Sequence, residues 1–444
     1  METIALRLYS ALMWLAQPLL RRKLARRGKA EPGYLAHVEE RFGTYTQPAE
    51  TASELVWVHA VSLGETRAAA VLLKALRLQQ PGLRVLLTHG TATGRAEGLA
   101  LLQPGDVQVW QPWDSVAAVE RFFTHFKPRL GLLMETEIWP NAVAAATRHR
   151  VPLVLVNARL SDKSLQQAEA MSPLSHPAYG ALTGVYAQTQ DDAMRFAQLG
   201  ASVAGVFGNL KFDAAPDPQQ LATGQAWRDA LARPVLMFAS SREGEEEALL
   251  QQLAAWRDQA SPADAPGAGD TRRLPWQVLV VPRHPQRFDA VAALAESHGF
   301  SVSRRSGWPA DGPVDDAASE ADIWLGDSLG EMALYYAMSD GALLGGSFAE
   351  LGGQNLIEAA ACGCPVIMGP HTFNFAEAAE LAEAAGAARR TADLADALQV
   401  ASQLLQDAGD PAPARSAMVA SALDFAARNR GATARTVEAL SPWF

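Results

Sequence analysis

The segment LVWVHAVSLGETRAAAVLLKALRLQQPGLRVLLTH, residues 55–89, decides the fold. It opens on an unbroken apolar run, LVWVHA at 55–60, turns at Ser62-Leu63-Gly64, and runs as a helical stretch into a second apolar run, RVLLTH at 84–89. A strand that is apolar on both faces belongs inside a parallel sheet covered by helices on both sides. The same alternation continues outward through VQVWQP (107–112), RLGLLME (129–135), PLVLVN (152–157), GVYAQT (184–189) and AGVFG (204–208). It pauses at DAAPDPQQLATG, 213–224, which lacks apolar periodicity. It then restarts with PVLMFAS (234–240), WQVLVVPR (276–283), DIWLGD (322–327), GALLGGS (341–347) and PVIMGP (365–370). The pattern predicts two Rossmann-like, doubly wound α/β domains, residues 31–212 and 226–444, joined by a linker at 213–225, with a last helix able to pack back on the first domain. In such sheets ligands sit beyond the C-terminal strand ends, and two such edges would face each other across a cleft. The stretch SPADAPGAGDTRRLP, 261–275, reads as a mobile surface insertion.

Composition agrees with a globular protein of 444 residues: 49% of them are apolar and 19% charged. No motif repeats with a period of 20 to 50 residues, so solenoids and propellers are excluded. Cys362 and Cys364 are too few for a disulfide framework or a cysteine-based zinc site, and they read as small buried residues in a reducing compartment. The net charge is −10, but residues 1–30 hold seven Lys/Arg and one acid, leaving −16 on the rest. That body would repel nucleic acid. The first segment would not repel an anionic membrane. Its apolar run, Ile4 to Leu20, is followed at once by RRKLARRGK. It sits at the lower limit of a bilayer span, so it either spans or inserts only shallowly, with the basic cluster on the cytoplasmic side, unless it is a buried helix with a basic, solvated end; a cleavable signal is a poor fit.

Chemistry is expected where strands end. In HAVSLGETRAA, 59–69, Glu65 stands where a helix begins, either facing a ligand or merely favouring the helix N-terminus. In LLMETEIWPN, 132–141, Glu135 and Glu137 follow an apolar strand at i and i+2; an extended backbone would put both on one side, where repulsion raises one pKa, unless one of them caps the next helix. GNLKFD, 208–213, carries Lys211, one of six lysines beside 32 arginines, either as a compact point charge or in a salt bridge with Asp213. In the second half the candidates are ASSREGEEE, VVPRHPQRF, GDSLGEM and GGSFAELGGQNLIEAAACGCPVIMGP. There Gly352-Gly353 would open a helix whose amides hold a phosphate, with Glu358 accepting from ribose hydroxyls. No GxGxxG fingerprint and no Walker A sequence occurs.

The motifs HAVSLGE, METEIWPN, VNARLSDKS, GNLKFD, SREGEEE, VPRHPQRF, GDSLGEM and GGQNLIEAAACGCPVIMGPHTFNF, in this order, resemble the 3-deoxy-D-manno-octulosonic acid (Kdo) transferases of lipopolysaccharide synthesis. The resemblance runs from the N-terminus through Phe375 and implies a GT-B fold with the acceptor on the first domain and CMP-Kdo on the second. It implies inverting transfer of Kdo from CMP-β-Kdo to the glucosamine headgroup of a lipid A precursor, at the cytoplasmic face of the inner membrane. By position it makes Glu65 the catalytic base and gives Glu135 and Lys211 roles in stabilising the transition state. It places donor binding on Pro282, Arg283, Leu329, Gly330, Glu331, Asn355, Leu356, Ile357 and Glu358. No cofactor and no metal site are expected, since no D-x-D pair stands in the motifs. Two alternatives stay open: the same fold using another nucleotide sugar such as a UDP-sugar, and a non-catalytic, membrane-attached nucleotide-sugar binder.

Overall fold

The computed structural model describes residues 4–259, 274–406 and 413–444. The chain divides into two compact units: one runs to Asp213 and takes back Asn429–Phe444, and the other is Ala214–Arg428. Each is built on a seven-stranded sheet in which every pairing is parallel.

The first sheet holds β1 (Leu55–His59), β2 (Arg84–His89), β3 (Val107–Trp110), β4 (Leu130–Met134), β5 (Leu153–Ala158), β6 (Gly184–Ala187) and β7 (Val203–Val206). Their order is β3-β2-β1-β4-β5-β6-β7. Strand β1 shows why the apolar runs are continuous. Leu55 and Trp57 face a cluster with Phe122, Phe123 and Phe126, while Val56 and Val58 face Leu72, Leu73 and Leu76 of the helix α2 (Leu63–Gln79). Both faces are buried, and each fully buried large side chain contributes about 1.5–3 kcal/mol. The order reverses between β1 and β4, the switch point of this sheet.

The second sheet holds β8 (Val235–Ser241), β9 (Gln277–Pro282), β10 (Val302–Arg304), β11 (Ile323–Leu325), β12 (Gly341–Leu344), β13 (Val366–Met368) and β14 (Ala388–Arg390), in the order β10-β11-β9-β8-β12-β13-β14. Its switch point lies between β8 and β12. The three-residue edge strands β10 and β14 were not legible as apolar runs, because each ends on an arginine tied to a nearby acid, Arg304 to Asp289 and Arg390 to Glu383. Charged, short edges are how sheets avoid further pairing.

One boundary differs from expectation. The stretch expected as a linker is largely helix, Pro218–Ala230: Asp217 accepts from the Gln219 and Gln220 amides at 2.8 and 3.4 Å, and Pro218 occupies the first turn. Its Gly224 lies against the helix Met332–Ala337, where a Cβ would meet the Leu334 carbonyl at 2.4 Å. Close packing replaced the apolar periodicity that a sequence reading relies on. The last helix, Ala432–Leu440, belongs to the first unit: Asp213 accepts from Gly431 and Thr433 at its start, and the Tyr186 hydroxyl donates to Ala439 O at 3.0 Å. The expected insertion at 261–275 falls almost wholly outside the described residues.

The N-terminal helix α1 (Ile4–Ala30) has two distinct sides. Ile4, Leu8, Leu12, Leu15 and Leu19 recur at helical spacing, each at least 63% exposed, and the exposed Arg22, Lys23 and Arg26 continue that side. The other side meets the first unit. Ser10 Oγ donates to Asn141 Oδ1 at 2.8 Å, the Tyr9 hydroxyl bonds Asp114, and Leu24 packs with Tyr34 and Phe42. Among the described residues no helix is long and apolar enough to cross a membrane.

Candidate active site

Glu65 is held by the turn that ends β1. Ser62 caps α2, accepting from the Glu65 amide at 3.3 Å while its hydroxyl donates to Glu65 Oε1 at 2.8 Å. The Val61 amide donates to Oε2 at 2.8 Å. This is a capping box variant in which the residue before the cap supplies the return donor. A carboxylate has about four lone-pair sites and these bonds use two, which leaves room for an incoming hydroxyl. Glu65 is 8% exposed. Burial, and next the charge of Glu135, push its carboxyl up to about 7, against the opposing pull of the Val61 and Ser62 donors.

Glu135 follows β4 directly. Residues His59 of β1 and Leu133 of β4 are register partners, so Glu65 and Glu135 both lie at the C-terminal edge of the sheet, on either side of the switch point. The backbone at Glu135 is not extended, as the i, i+2 reading had it; φ is 57°, in the left-handed region. Its amide donates to Val156 O at 3.1 Å and its carbonyl accepts from the Arg159 amide at 3.4 Å, and these bonds hold the turn. The two carboxylates therefore take different partners. Glu135 Oε1 meets Lys211 Nζ at 3.1 Å, and Glu137 Oε2 accepts from Trp139 Nε1 at 3.0 Å. Burial raises the Glu137 carboxyl above its ordinary value, with the Glu135 charge adding to it. Neither acid caps the helix Pro140–His149. Asp114 does so, accepting from Asn141 N at 3.0 Å and Ala142 N at 2.8 Å.

Lys211 pairs with Glu135 rather than Asp213, whose oxygens are taken by Gly431 and Thr433. A chain of buried amides sets its turn. Asn157, at φ 53°, accepts from Leu210 N at 2.9 Å and its carbonyl accepts from Gln188 Nε2 at 2.8 Å. Gln188 Oε1 accepts from Asn209 Nδ2 at 3.0 Å, and Asn209 Oδ1 accepts from Lys211 N at 3.0 Å. Asn157 lies in the VNARLSDKS motif, but nothing in the sequence marked it, Gln188 or Asp114 as supports. His59 and His89 are structural: burial lowers their imidazoles to about 3 and about 4, so they are neutral near pH 7.

In the second unit the expected donor residues lie at a strand end, in a loop and at a helix start. Pro282 ends β9, and the Arg283 amide donates to Ser241 O at 3.0 Å. Leu329 is 74% exposed, Gly330 has φ 80°, and Glu331 pairs with Arg305 at 3.0 Å. Gly352 and Gly353 do not open the helix; both have positive φ, which an α-helix forbids, and the Gly353 amide is spent on Gly346 O at 2.7 Å. The helix is Leu356–Ala361, capped by Asn355, which accepts from Ile357 N at 3.1 Å. Leu356 and Ile357 are buried side chains and can reach a ligand only through their backbone, whereas Glu358 is half-buried. Glu245 is an internal brace: buried, it accepts the amides of Arg242, Gly346, Phe348 and Ala349, tying the β8 and β12 loops together. Cys362 and Cys364 are free thiols, and burial pushes Cys362 up to about 12, so neither is a nucleophile near pH 7. Among the described residues no group of three or more His, Cys, Asp or Glu is arranged to hold a metal ion.

The 3-deoxy-D-manno-octulosonic-acid transferase (kdotransferase) family model matches residues 36–214, the span that carries Glu65, Glu135 and Lys211. The 3-deoxy-D-manno-octulosonic acid transferase of Bordetella pertussis is 47% identical over 99% of this chain and 98% of its own length. The chain belongs to the Kdo transferase family. The Kdo transferase of Haemophilus influenzae is 30% identical over 98% of both chains. A solved glycosyltransferase from Rickettsia africae superimposes with a TM-score of 0.53 at 13% identity, covering 89% of this chain and 99% of that one, a likeness of fold alone. The protein is thus a glycosyltransferase of the Kdo transferase family with a two-domain α/β fold.

Proposed function

We propose that the chain is an inverting GT-B enzyme that transfers Kdo from CMP-β-Kdo to the glucosamine headgroup of a lipid A precursor, with Glu65 as general base. The observation that carries this reading is the Glu65 carboxylate, buried beside the Glu135–Lys211 pair at the switch point of the first sheet. A base works best when its pKa lies near the working pH, and about 7 meets that condition. As the acceptor oxygen bonds to the anomeric carbon, its proton passes to Glu65 and the bond to the CMP phosphate breaks, so CMP departs with one more unit of negative charge. Lys211 has its charge matched to Glu135, so its part is to hold that carboxylate in place and temper its field at Glu65. Balancing the departing phosphate then falls to the second unit, to Arg283, the loop amides around Leu329–Glu331 and the amides at the helix start Asn355–Glu358.

The reading includes attachment of α1 to the cytoplasmic face of the inner membrane. An exposed leucine stripe continuing into Arg22, Lys23 and Arg26 suits a helix lying in the interface of an anionic bilayer. The test of function is a mass spectrum of the product made from CMP-Kdo and a tetra-acylated lipid A precursor. One or more added Kdo residues are expected. Turnover with a UDP-sugar and none with CMP-Kdo would overturn the donor assignment; binding without turnover would make the protein a nucleotide-sugar binder.

A further inference from the structure

Beside α1 the first unit holds a cavity of about 430 Å³ that the mechanism leaves unused. Leu6 of α1, Val143 and Ala144 of the helix Pro140–His149, and Leu174, Pro177 and Ala181 on and just after the helix Ser172–Gly180 form its apolar walls. Thr147 and Arg148 also line it, and Arg148 is bound to Glu120 at 2.5 Å. Its size falls within the range of small-molecule sites, and apolar walls without a converging set of polar groups suit hydrocarbon.

The elements that line it say which hydrocarbon. One wall begins at Pro140, the residue after the loop that carries Glu135 and Glu137; Tyr179, on the other wall's helix, feels the Glu137 charge. The cavity therefore adjoins the turn that holds the catalytic carboxylates. Leu6, which also lines it, belongs to α1, whose exposed face is the leucine stripe with its basic continuation. The cavity is thus lined both by the helix that follows the Glu135–Glu137 turn and by α1. From this continuity we infer that the cavity is a subsite for one fatty acyl chain of the glycolipid acceptor. The inference rests on the proposed lipid acceptor and names the residues that read its tail.

The experiment compares wild type with Ala144→Trp, which fills the cavity from one wall, and Ala181→Phe, which fills it from the other; Ala144→Ser controls for substitution without filling. Each is assayed in detergent with CMP-Kdo and two acceptors, the tetra-acylated lipid A precursor and its fully deacylated disaccharide. The filled variants should raise KM for the acylated acceptor about tenfold or more, the equivalent of about two methylenes displaced, with KM for the deacylated acceptor and kcat unchanged and Ala144→Ser like wild type. Equal loss with both acceptors, or loss with neither in both filled variants, overturns the subsite. So does rescue of the acylated substrate by added phospholipid, which would assign the cavity to a membrane lipid. Wild-type failure to modify either acceptor would refute the function and not the cavity, so the two readings fail separately.

Discussion

Replacing Glu65 with glutamine should slow the enzyme and stabilise it at once. The amide fits the same bonds: Oε1 can accept from Val61 N while Nε2 donates to the Ser62 hydroxyl, which accepts as well as donates. Only the basic group is lost, and turnover should fall about 10²- to 10⁴-fold with CMP binding intact. The stability change follows from the raised pKa. Between its ordinary value of 4.5 and about 7 the folded protein holds a proton that the unfolded chain has released, so the parent loses stability as pH rises through that interval. Ionising Glu65 in place costs the fold ~3 kcal/mol above about pH 7, from two to three pKa units at about 1.4 kcal/mol each. Glu65→Gln avoids that cost. It should exceed the parent in stability by up to ~3 kcal/mol at about pH 8, and the advantage should vanish below about pH 4.5. Urea unfolding at several pH values, run beside a turnover assay, reads both effects. Near-normal turnover would refute the base assignment. A stability difference independent of pH would refute the buried, elevated carboxyl.

Lys211→Met should remove the partner of Glu135, expose Glu65 to its full charge, and lower turnover about 10²-fold, with the acid limb of the kcat/KM profile moved to higher pH. An unmoved limb would separate Lys211 from the base. Leu8→Glu with Leu12→Glu, on the exposed side of α1, should abolish sedimentation with anionic vesicles and leave the melting temperature unchanged. Deleting α1 should also release the protein, but at a cost in stability, since Asp114 loses Tyr9 and Asn141 loses Ser10. Turnover should persist in excess chelator after metal stripping; loss restored by magnesium would assign the donor phosphate to a metal.

The alternation of apolar runs and helices was enough to identify twelve of the fourteen strands of the two sheets, because a strand buried on both faces is apolar throughout whatever its neighbours are. The same local logic singled out Glu65, whose Ser62 cap lies three residues away, and it set Glu135 at a strand end and Lys211 at the junction of the two domains. It failed where structure rests on contact rather than pattern. The first eight residues of the helix Pro218–Ala230 read as linker because Gly224 packs without a side chain, and the glycine pair before Asn355 reads as a helix start although both residues have positive φ. The partners of the site were beyond any sequence reading. Asp114 caps a helix that begins 26 residues later, Lys211 finds Glu135 from 76 residues away, and Asn157 reaches Leu210 across 53. Strand order brings such residues together, and no periodicity encodes it. The electrostatics of Glu65 are likewise tertiary: an ordinary carboxyl is raised to about 7 only when folding removes its water and sets Glu135 beside it.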